Sequence, residues 1–501
     1  MLLTLTLSFN LLAFSAEIYV DPSTVGKPWK SANAVCQFRG NPTRSCSGLG
    51  PIPTDLEIQW RKGSYSSFYY GKTWGGSGWT GQPAVWPSLN SDEKIDSSYA
   101  ALENASKYEV VVGTYDKKVH FFRWYDGVET RPAFPTGGII KTSVTLDPDG
   151  FPLMYFGSTD DNLRILALDR SDNLVKGYEQ PAAKELWKFN ASDVSGPLNG
   201  RSRDWDSTAN IINDYWIQGG ENGWILVFKL NRSYDEKGLV QVKPEKILEM
   251  PLFNKELVKK MGDVNSSIES SPAVYKNFLY VANSSGRVVG LDLSRIDAKT
   301  RTAPIVYDIW LGDDVDTSVV VDEEGMLYLG QEQERCNKSY VAACKRQKEV
   351  GDIVKLDPSK VGDDSIVWRF STKEKLGVSY NSDGGIFATL SMYKGFVYTT
   401  THSGHLVALD KKTGEMTFSD NKIGYHAWGS SVVSEGRLLV PTTVPGGFRI
   451  YDLVEDPAHP KLIDVYKLPT EGAIESTPLV FGGRIVVGSR DGYIYSFGGK
   501  L

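Results

Sequence analysis

Six carboxylates recur at one position of a repeated sequence frame: Asp96, Asp206, Glu269, Asp316, Asp383 and Glu475. Each precedes a short apolar stretch, so a fold that closes on itself would gather them at one mouth of a central channel. Such a ring concentrates negative potential and can hold a cation, with calcium the first candidate, or a basic ligand. Acids that merely solvate loops entering strands give the same pattern. Trp205-Asp206 is a Trp-Asp pair ahead of one such stretch, and it can serve catalysis or simply packing and turn formation. His426, beside Trp428, lies at another expected mouth position and is the histidine best placed for acid–base work. His402 and His405 flank Ser403-Gly404 at a hairpin turn, a weak metal pair without a carboxylate partner.

A second group is aromatic. Trp60, Tyr65, Phe68, Tyr69, Tyr70, Trp74, Trp79 and Trp86 alternate with Gly and Ser. The run from Trp74 through Gly75-Gly76-Ser77-Gly78 to Trp79 reads as a loop displaying rings to a carbohydrate or peptide, or as a plug over the channel mouth. No Gly-rich loop follows a strand and opens a helix, so nucleotide binding has no basis.

The elements that position these residues repeat. Glu269-Ser270-Ser271-Pro272-Ala273-Val274 is followed by Phe278–Ala282, the turn Asn283-Ser284-Ser285-Gly286, and Arg287–Asp292. Glu475-Ser476-Thr477-Pro478-Leu479-Val480 opens a second unit of the same form. Each unit reads as a short inner strand, an apolar strand, a Gly-bearing hairpin and a third strand. Six further copies have inner strands starting near Ser98, Ser143, Thr208, Ser318, Gly385 and Ser430. A fourth, alternating strand with an aromatic follows several units, as in Glu185–Phe189, Val306–Trp310, Ile366–Phe370 and Leu462–Tyr466. Four strands in each of eight units predict an all-β, eight-bladed propeller. The last unit lacks an outer strand, and Leu56–Arg61 has that strand's pattern, so a segment over about 55–61 is expected to close the ring. The expected organisation is therefore a cap over 17–95 and a propeller over 96–501. The only helix the sequence announces lies near Asn254–Met261.

At these repeats the chain resembles the PQQ-like repeat proteins, the quinoprotein alcohol dehydrogenase-like propeller superfamily. Ala408-Leu409-Asp410-Lys411-Lys412-Thr413-Gly414-Glu415, with Phe418 following, is similar to the family's Ala-x-Asp-x-x-x-Gly-x-x-x-Trp docking motif. For the dehydrogenase branch the resemblance implies a quinone stacked between a Trp and a disulfide of adjacent cysteines, with calcium held by Glu, Asn and Asp. No two cysteines here are adjacent, and Ser202-Arg203-Asp204 departs from the family pattern around Trp205-Asp206. No Cys-x-x-Cys-His site for haem is present either. PQQ is therefore not expected, and the resemblance marks a fold more than an activity.

Composition narrows the rest. The 501 residues are 41% hydrophobic and 23% charged, which excludes a disordered tail or a membrane bundle. A net charge of −6 disfavours a nucleic-acid surface. Residues 1–16 are uncharged and end in Ala13-Phe14-Ser15-Ala16, like the apolar core of a secretory signal or an ordinary apolar strand. No later run approaches the roughly 20 apolar residues of a membrane span. Cys36 with Cys46 and Cys336 with Cys344 are expected to form two local disulfides, as an oxidising compartment permits. Asn104, Asn190, Asn231, Asn265, Asn283 and Asn337 begin glycosylation sequons. The favoured expectation is an exported, monomeric, non-catalytic binding or scaffold propeller with a protein or carbohydrate ligand. A quinone- and calcium-dependent alcohol or sugar dehydrogenase is the alternative, and a carbohydrate-active propeller enzyme is third.

Overall fold

A computed structural model describes residues 18–30, 34–78, 81–87, 108–198, 200, 202–337, 340–378 and 384–501. The expected signal at 1–16, together with Asp96, Asp383, Trp79 and Asn104, lies outside them. Eight four-stranded antiparallel sheets form an eight-bladed β-propeller. The fourth blade shows the pattern: Ala273–Tyr275, Phe278–Ala282, Arg287–Asp292 and Ile305–Trp310 run from the channel outward. The middle strands are apolar and buried between neighbouring blades, while the outermost strand alternates between exposed and buried residues. In blades two to seven the outer pairing carries one register irregularity near the same place. Such bulges bend a strand and increase its twist.

The ring closes as expected: Thr54–Lys62 pairs antiparallel with Ile494–Lys500 and supplies the outer strand of the last blade. The first blade starts earlier than the sequence frame put it. Its innermost strand is Ala84–Pro87, paired with Tyr108–Thr114, and not a strand near Ser98.

A belt of hydroxyls joins consecutive blades where the inner strands begin. The Gln82 N–H donates to Ser143 Oγ at 2.7 Å, Thr208 N–H to Ser271 Oγ at 2.9 Å, and Ser271 N–H to Ser318 Oγ at 2.9 Å. Ser318 N–H donates to Thr389 Oγ1 at 3.1 Å and Thr389 N–H to Ser430 Oγ at 2.9 Å. The preceding hydroxyl ties its own blade together, as Thr317 does to Gly330 O at 2.8 Å and Ser476 to Gly488 O at 2.8 Å. The third residue of the repeated acid–hydroxyl–hydroxyl triplet is thus an assembly device that joins one blade to the next, and at Thr317 and Ser476 the second residue also binds within its own blade.

Below the belt the channel is filled by residues 35–49, which contact all eight inner strands. Val35 bridges Val85, Cys36 O accepts from Leu146 N–H at 2.7 Å, and Pro42 O accepts from Asn210 Nδ2 at 3.1 Å and Val274 N–H at 2.9 Å. Thr43 O accepts from Val321 N–H at 3.0 Å, Ser47 Oγ accepts from Val433 N–H at 2.9 Å, and Leu49 N–H donates to Val480 O at 3.1 Å. Arg39 reaches the sixth and seventh blades through Leu390 O, Ser391 Oγ at 3.0 Å and Ser431 O at 2.7 Å. Arg44 donates to Pro272 O at 3.0 Å, Phe38 O at 2.9 Å, and Thr208 O and Ala209 O at 3.3 and 3.4 Å. Burial pulls both guanidinium pKa values down to about 9.

Three expectations change here. Cys36 and Cys46 are buried free thiols: Cys36 packs with Trp86, Val144 and Leu146, while Cys46 Sγ faces Gly48 O at 3.8 Å. Their separate packing as parts of the plug replaces the expected bond. Cys336–Cys344 is bonded, but it joins two helices, Glu334–Asn337 and Val341–Val350, where a loop was expected. The Ala-Ala-Cys-Lys-Arg-Gln-Lys-Glu run there is rich in good helix formers. Asn265 and Asn283 are only 1% exposed, their side chains accepting from Ser267 and Ser285 as turn formers, so neither can carry a glycan on the folded chain. Asn190 and Asn231 are half-buried, and the side chain of Asn337 is not among those described.

Replacing Arg44 by Met would leave the Phe38 and Thr208 carbonyl oxygens without a donor among the described residues, while Pro272 O keeps Asn210 Nδ2 and Ala209 O keeps Thr145 Oγ1. At about 1–3 kcal/mol each for a buried unsatisfied group, tempered by relaxation, Arg44→Met should lower stability by on the order of 3–5 kcal/mol. Equilibrium urea unfolding measures it, with the exposed Lys412→Met as the control expected to lie near zero.

Candidate functional site

The belt hydroxyls fix what stands two residues before them. From the second blade to the eighth, that position holds Lys141, Asp206, Glu269, Asp316, Phe387, Trp428 and Glu475. The ring is not uniformly acidic, as the sequence frame suggested. It has one basic member, three adjacent acids, two adjacent aromatics and a final acid. Phe387, not Asp383, occupies the sixth position, and the early start of the first blade removes Asp96 from the frame. A second layer stands two residues beyond the middle strands: Glu221, Glu332, His402 and Arg490.

On the acidic side, Lys141 Nζ contacts Asp206 closely, Glu221 at 3.4 Å and Asp204 at 3.5 Å. Tyr69 donates to Asp204 Oδ2 at 3.0 Å, and Ser202 to Glu221 Oε2 at 2.6 Å. Burial pushes the Asp204 and Asp206 carboxyls up, and the neighbouring Glu221 charge adds to it. Burial opposes ionisation of Glu221, but the Lys141 ammonium and the hydrogen bonds from Asp206, Ser202 and Lys141 together outweigh it and hold the group below its usual range. Burial likewise opposes a charge on Lys141, but Asp206, Glu221, Asp204 and Glu269 raise it well above its usual range. Glu475 is paired with Arg490.

Among the described residues, Glu269, Asp316 and Glu332 form no such ion pair. Burial, reinforced by the neighbouring carboxylates, pushes all three well above the ordinary range. Asp316 and Glu332 hydrogen-bond to each other, and Asp316 Oδ1 and Glu332 Oε1 find no further partner although both residues are at least nine-tenths buried.

The next two blades add rings in place of carboxylates. Phe387 and Trp428 have ring centroids 5.4 Å apart, and Phe387 and His402 4.7 Å apart in an edge-on arrangement. Tyr425 lies edge-on to His426 at 4.1 Å, and His402 Nε2 is 3.2 Å from His426 Nδ1. His426 has a φ of 63°, a left-handed backbone costing about 1–3 kcal/mol outside glycine. His405, by contrast, points away toward Ser403 Oγ at 3.2 Å, so the two expected histidines form no joint metal pair.

Trp74 closes the mouth from above. It sits on the hairpin of Ser66–Tyr69 and Lys72–Gly75, held by its indole N–H on Tyr69 O at 2.8 Å, with the Arg490 guanidinium 4.4 Å over its ring. The glycine run after it serves close approach: a Cβ on Gly78 would collide with the Lys141 carbonyl. Trp74 is therefore both packed and cavity-lining. Trp86 and Trp205 are packed but do not line the cavity: Trp86 is 5% exposed in the first blade with its N–H on Glu109, and Trp205 is 1% exposed between the second and third blades.

These side chains line a cavity of about 410 Å³, to which Glu269, Asp316 and Glu332 bring carboxyl groups and Phe387, His402, Tyr425, His426 and Trp428 bring rings. Asp204, Asp206 and Glu221 have the donor types of a calcium site, with ligand oxygens within 4.8 Å of one another. The Lys141 ammonium already stands among them, and no adjacent-cysteine disulfide flanks the cavity. The residues present do not fit the quinone and calcium of the dehydrogenase branch. Sequence reading missed Lys141, Glu332 and Phe387. Lys141-Thr142-Ser143 shares the frame of Asp206-Ser207-Thr208, so Lys141 was findable once the position and not the charge was followed.

No protein-family model matches the chain, and no curated protein matches it by sequence. The fold recurs among solved structures. Sqt1 of Saccharomyces cerevisiae matches with a TM-score of 0.51 and 10% identity over 77% of this chain and 92% of that one. The computationally designed Ika8 protein matches at 0.47 and 11%, covering 90% and 98%, and BamB of Moraxella catarrhalis at 0.35 and 12%, covering 78% and 81%. The Sqt1 likeness establishes the fold alone.

The raised carboxyls make a signed stability prediction. A carboxyl that keeps its proton to higher pH in the folded state weakens folding as pH climbs from its unfolded value toward its folded one. Glu332→Gln removes that penalty, so the variant should match the parent near pH 4 and be increasingly more stable toward pH 8. Thermal unfolding across that range measures the widening gap.

Proposed function

We propose that the chain is a non-catalytic binding protein of the PQQ-like propeller type, working outside the cytoplasm, whose ligand presents a cationic group to the channel mouth. The observation that carries this reading is the set Glu269, Asp316 and Glu332. The buried Asp316 and Glu332 and the half-buried Glu269 line one cavity, and the Lys141 ammonium in the same lining is engaged by three other carboxylates. Burying acids without a cation is costly unless they stay protonated. A positively charged ligand removes that cost and expels the protons. The plug at 35–49 blocks the channel beneath the cavity, which makes the mouth a blind site and not a passage. The Cys336–Cys344 disulfide supports an oxidising compartment.

A carbohydrate-active enzyme is the second reading, favoured by the Asp316–Glu332 carboxyl pair beside stacked rings. The two differ in turnover. Calorimetric titrations of the purified chain with calcium, spermidine and choline, in two buffers of different ionisation heat, should find at least one binder that releases protons at neutral pH. Asp316→Asn should reduce the proton release. Oligosaccharides and alcohols, incubated with the protein and an artificial electron acceptor, should return unchanged. Product formation would establish an enzyme instead.

A further inference from the structure

The two walls of the cavity make different demands, and together they select a ligand. Bare calcium takes six to eight oxygen ligands. Here the oxygen donors Glu269, Asp316, Glu332 and Gln333 come from the fourth and fifth blades, and the next two blades add rings in place of carboxylates, through Phe387, Tyr425 and Trp428. A neutral sugar would stack on Phe387 and Trp428 but would leave the buried Asp316 Oδ1 and Glu332 Oε1 without a counter-charge. A cation with a carbon envelope satisfies both walls. Aromatic faces attract such a cation at about 0.5–1 kcal/mol in exposed sites and about 2 or more when water is excluded, and carboxylates complete the charge balance. The volume of about 410 Å³ lies within the roughly 300–1,000 Å³ of small-ligand sites, ample for an alkylated ammonium head.

We propose that the channel mouth is a receptor for an organic ammonium group, its charge against Glu269, Asp316 and Glu332 and its N-alkyl carbons against Phe387, Tyr425 and Trp428. The inference rests on the binding-protein reading and narrows its ligand to one chemistry. Trp74, on its hairpin above the opening, covers the bound group. The left-handed backbone of His426 holds the turn that sets its ring in contact with both Tyr425 and Trp428, a strained residue retained where the wall is formed. The same chemistry is carried by free quaternary amines and by an N-methylated lysine on a protein, so both sources belong in the test.

Nuclear magnetic resonance of tetramethylammonium, choline and a trimethyl-lysine peptide, each titrated with the full chain, reads the proposal directly. N-methyl protons should move upfield from ring currents, with saturation transfer to the methyl groups. Trp428→Leu and Phe387→Leu keep apolar volume while removing ring faces, and each should weaken binding about tenfold. Glu332→Gln should weaken it at least as much, while its thermal midpoint at neutral pH stays at or above that of the parent. Stronger binding of free amines than of the peptide assigns a small-molecule ligand, and the reverse assigns a modified protein. Absence of any methyl shift at millimolar probe, or affinities untouched in all three variants, overturns the proposal. If calcium or an oligosaccharide binds in place of the ammonium probes, the ligand class is wrong and the binding-protein reading stands. Chemical conversion of a probe overturns that reading itself.

Discussion

Eight short inner strands facing one channel leave eight edges of unpaired backbone, and satisfying those edges is the constraint on which the rest of the molecule depends. A narrow channel filled with water could do so only partly, and buried orphan carbonyls are costly. Here the chain threads its own residues 35–49 into the opening. Two arginines suit this task because a guanidinium offers five donors in a rigid fork and never needs to be an acceptor. Arg39 and Arg44 spend those donors largely on main-chain oxygens, bridging blades far apart in sequence. The plug is followed directly by the ring-closing strand Thr54–Lys62, so one continuous segment seals the channel and the last open edge.

With its centre filled, the propeller can bring side chains together only at its mouth, and the hydroxyl belt decides which. Each belt residue fixes the strand entry of its blade against the next one, so the residue two positions earlier has a set place on the rim. The rim therefore needs no further machinery to hold its geometry, and its chemistry is free to differ between blades. It does so in sectors. Lys141 balances the acids nearest the second and third blades, Arg490 balances Glu475, and the sector between Glu269 and Glu332 is left to an external charge.

The fold was legible because its signals are local and repeated: period-two apolar strands, Gly-bearing hairpins, and the acid–hydroxyl–hydroxyl triplet. Even the closing strand could be found, since a propeller with an unpaired edge is physically incomplete. The plug was not legible. Residues 35–49 have no periodicity, and the role of Arg39 and Arg44 depends on contacts with residues hundreds of positions away. The cysteines misled for a related reason, their spacing permitting a bond that their separate packing excludes. At the site, Glu269, Asp316 and Trp428 were reached by alignment of the repeats. Phe387 and Lys141 were passed over because the frame was followed as a run of charge when the structure uses it as a run of positions.

The acidic sector shows why this place cannot be tuned for stability alone. Glu269, Asp316 and Glu332 ionise less readily in the folded chain than in water, and a fold shaped solely by its own stability would carry amides or apolar groups there. The strained His426 lines the same cavity, a second local cost set against the same few side chains. Away from the mouth the apolar middle strands are buried and the plug arginines bind carbonyls. Local costs that persist on a rim free to vary are what selection for a ligand leaves behind. The costs also share a remedy, because a bound cation turns three reluctant acids into three counter-ions and gives the aromatic wall something to enclose.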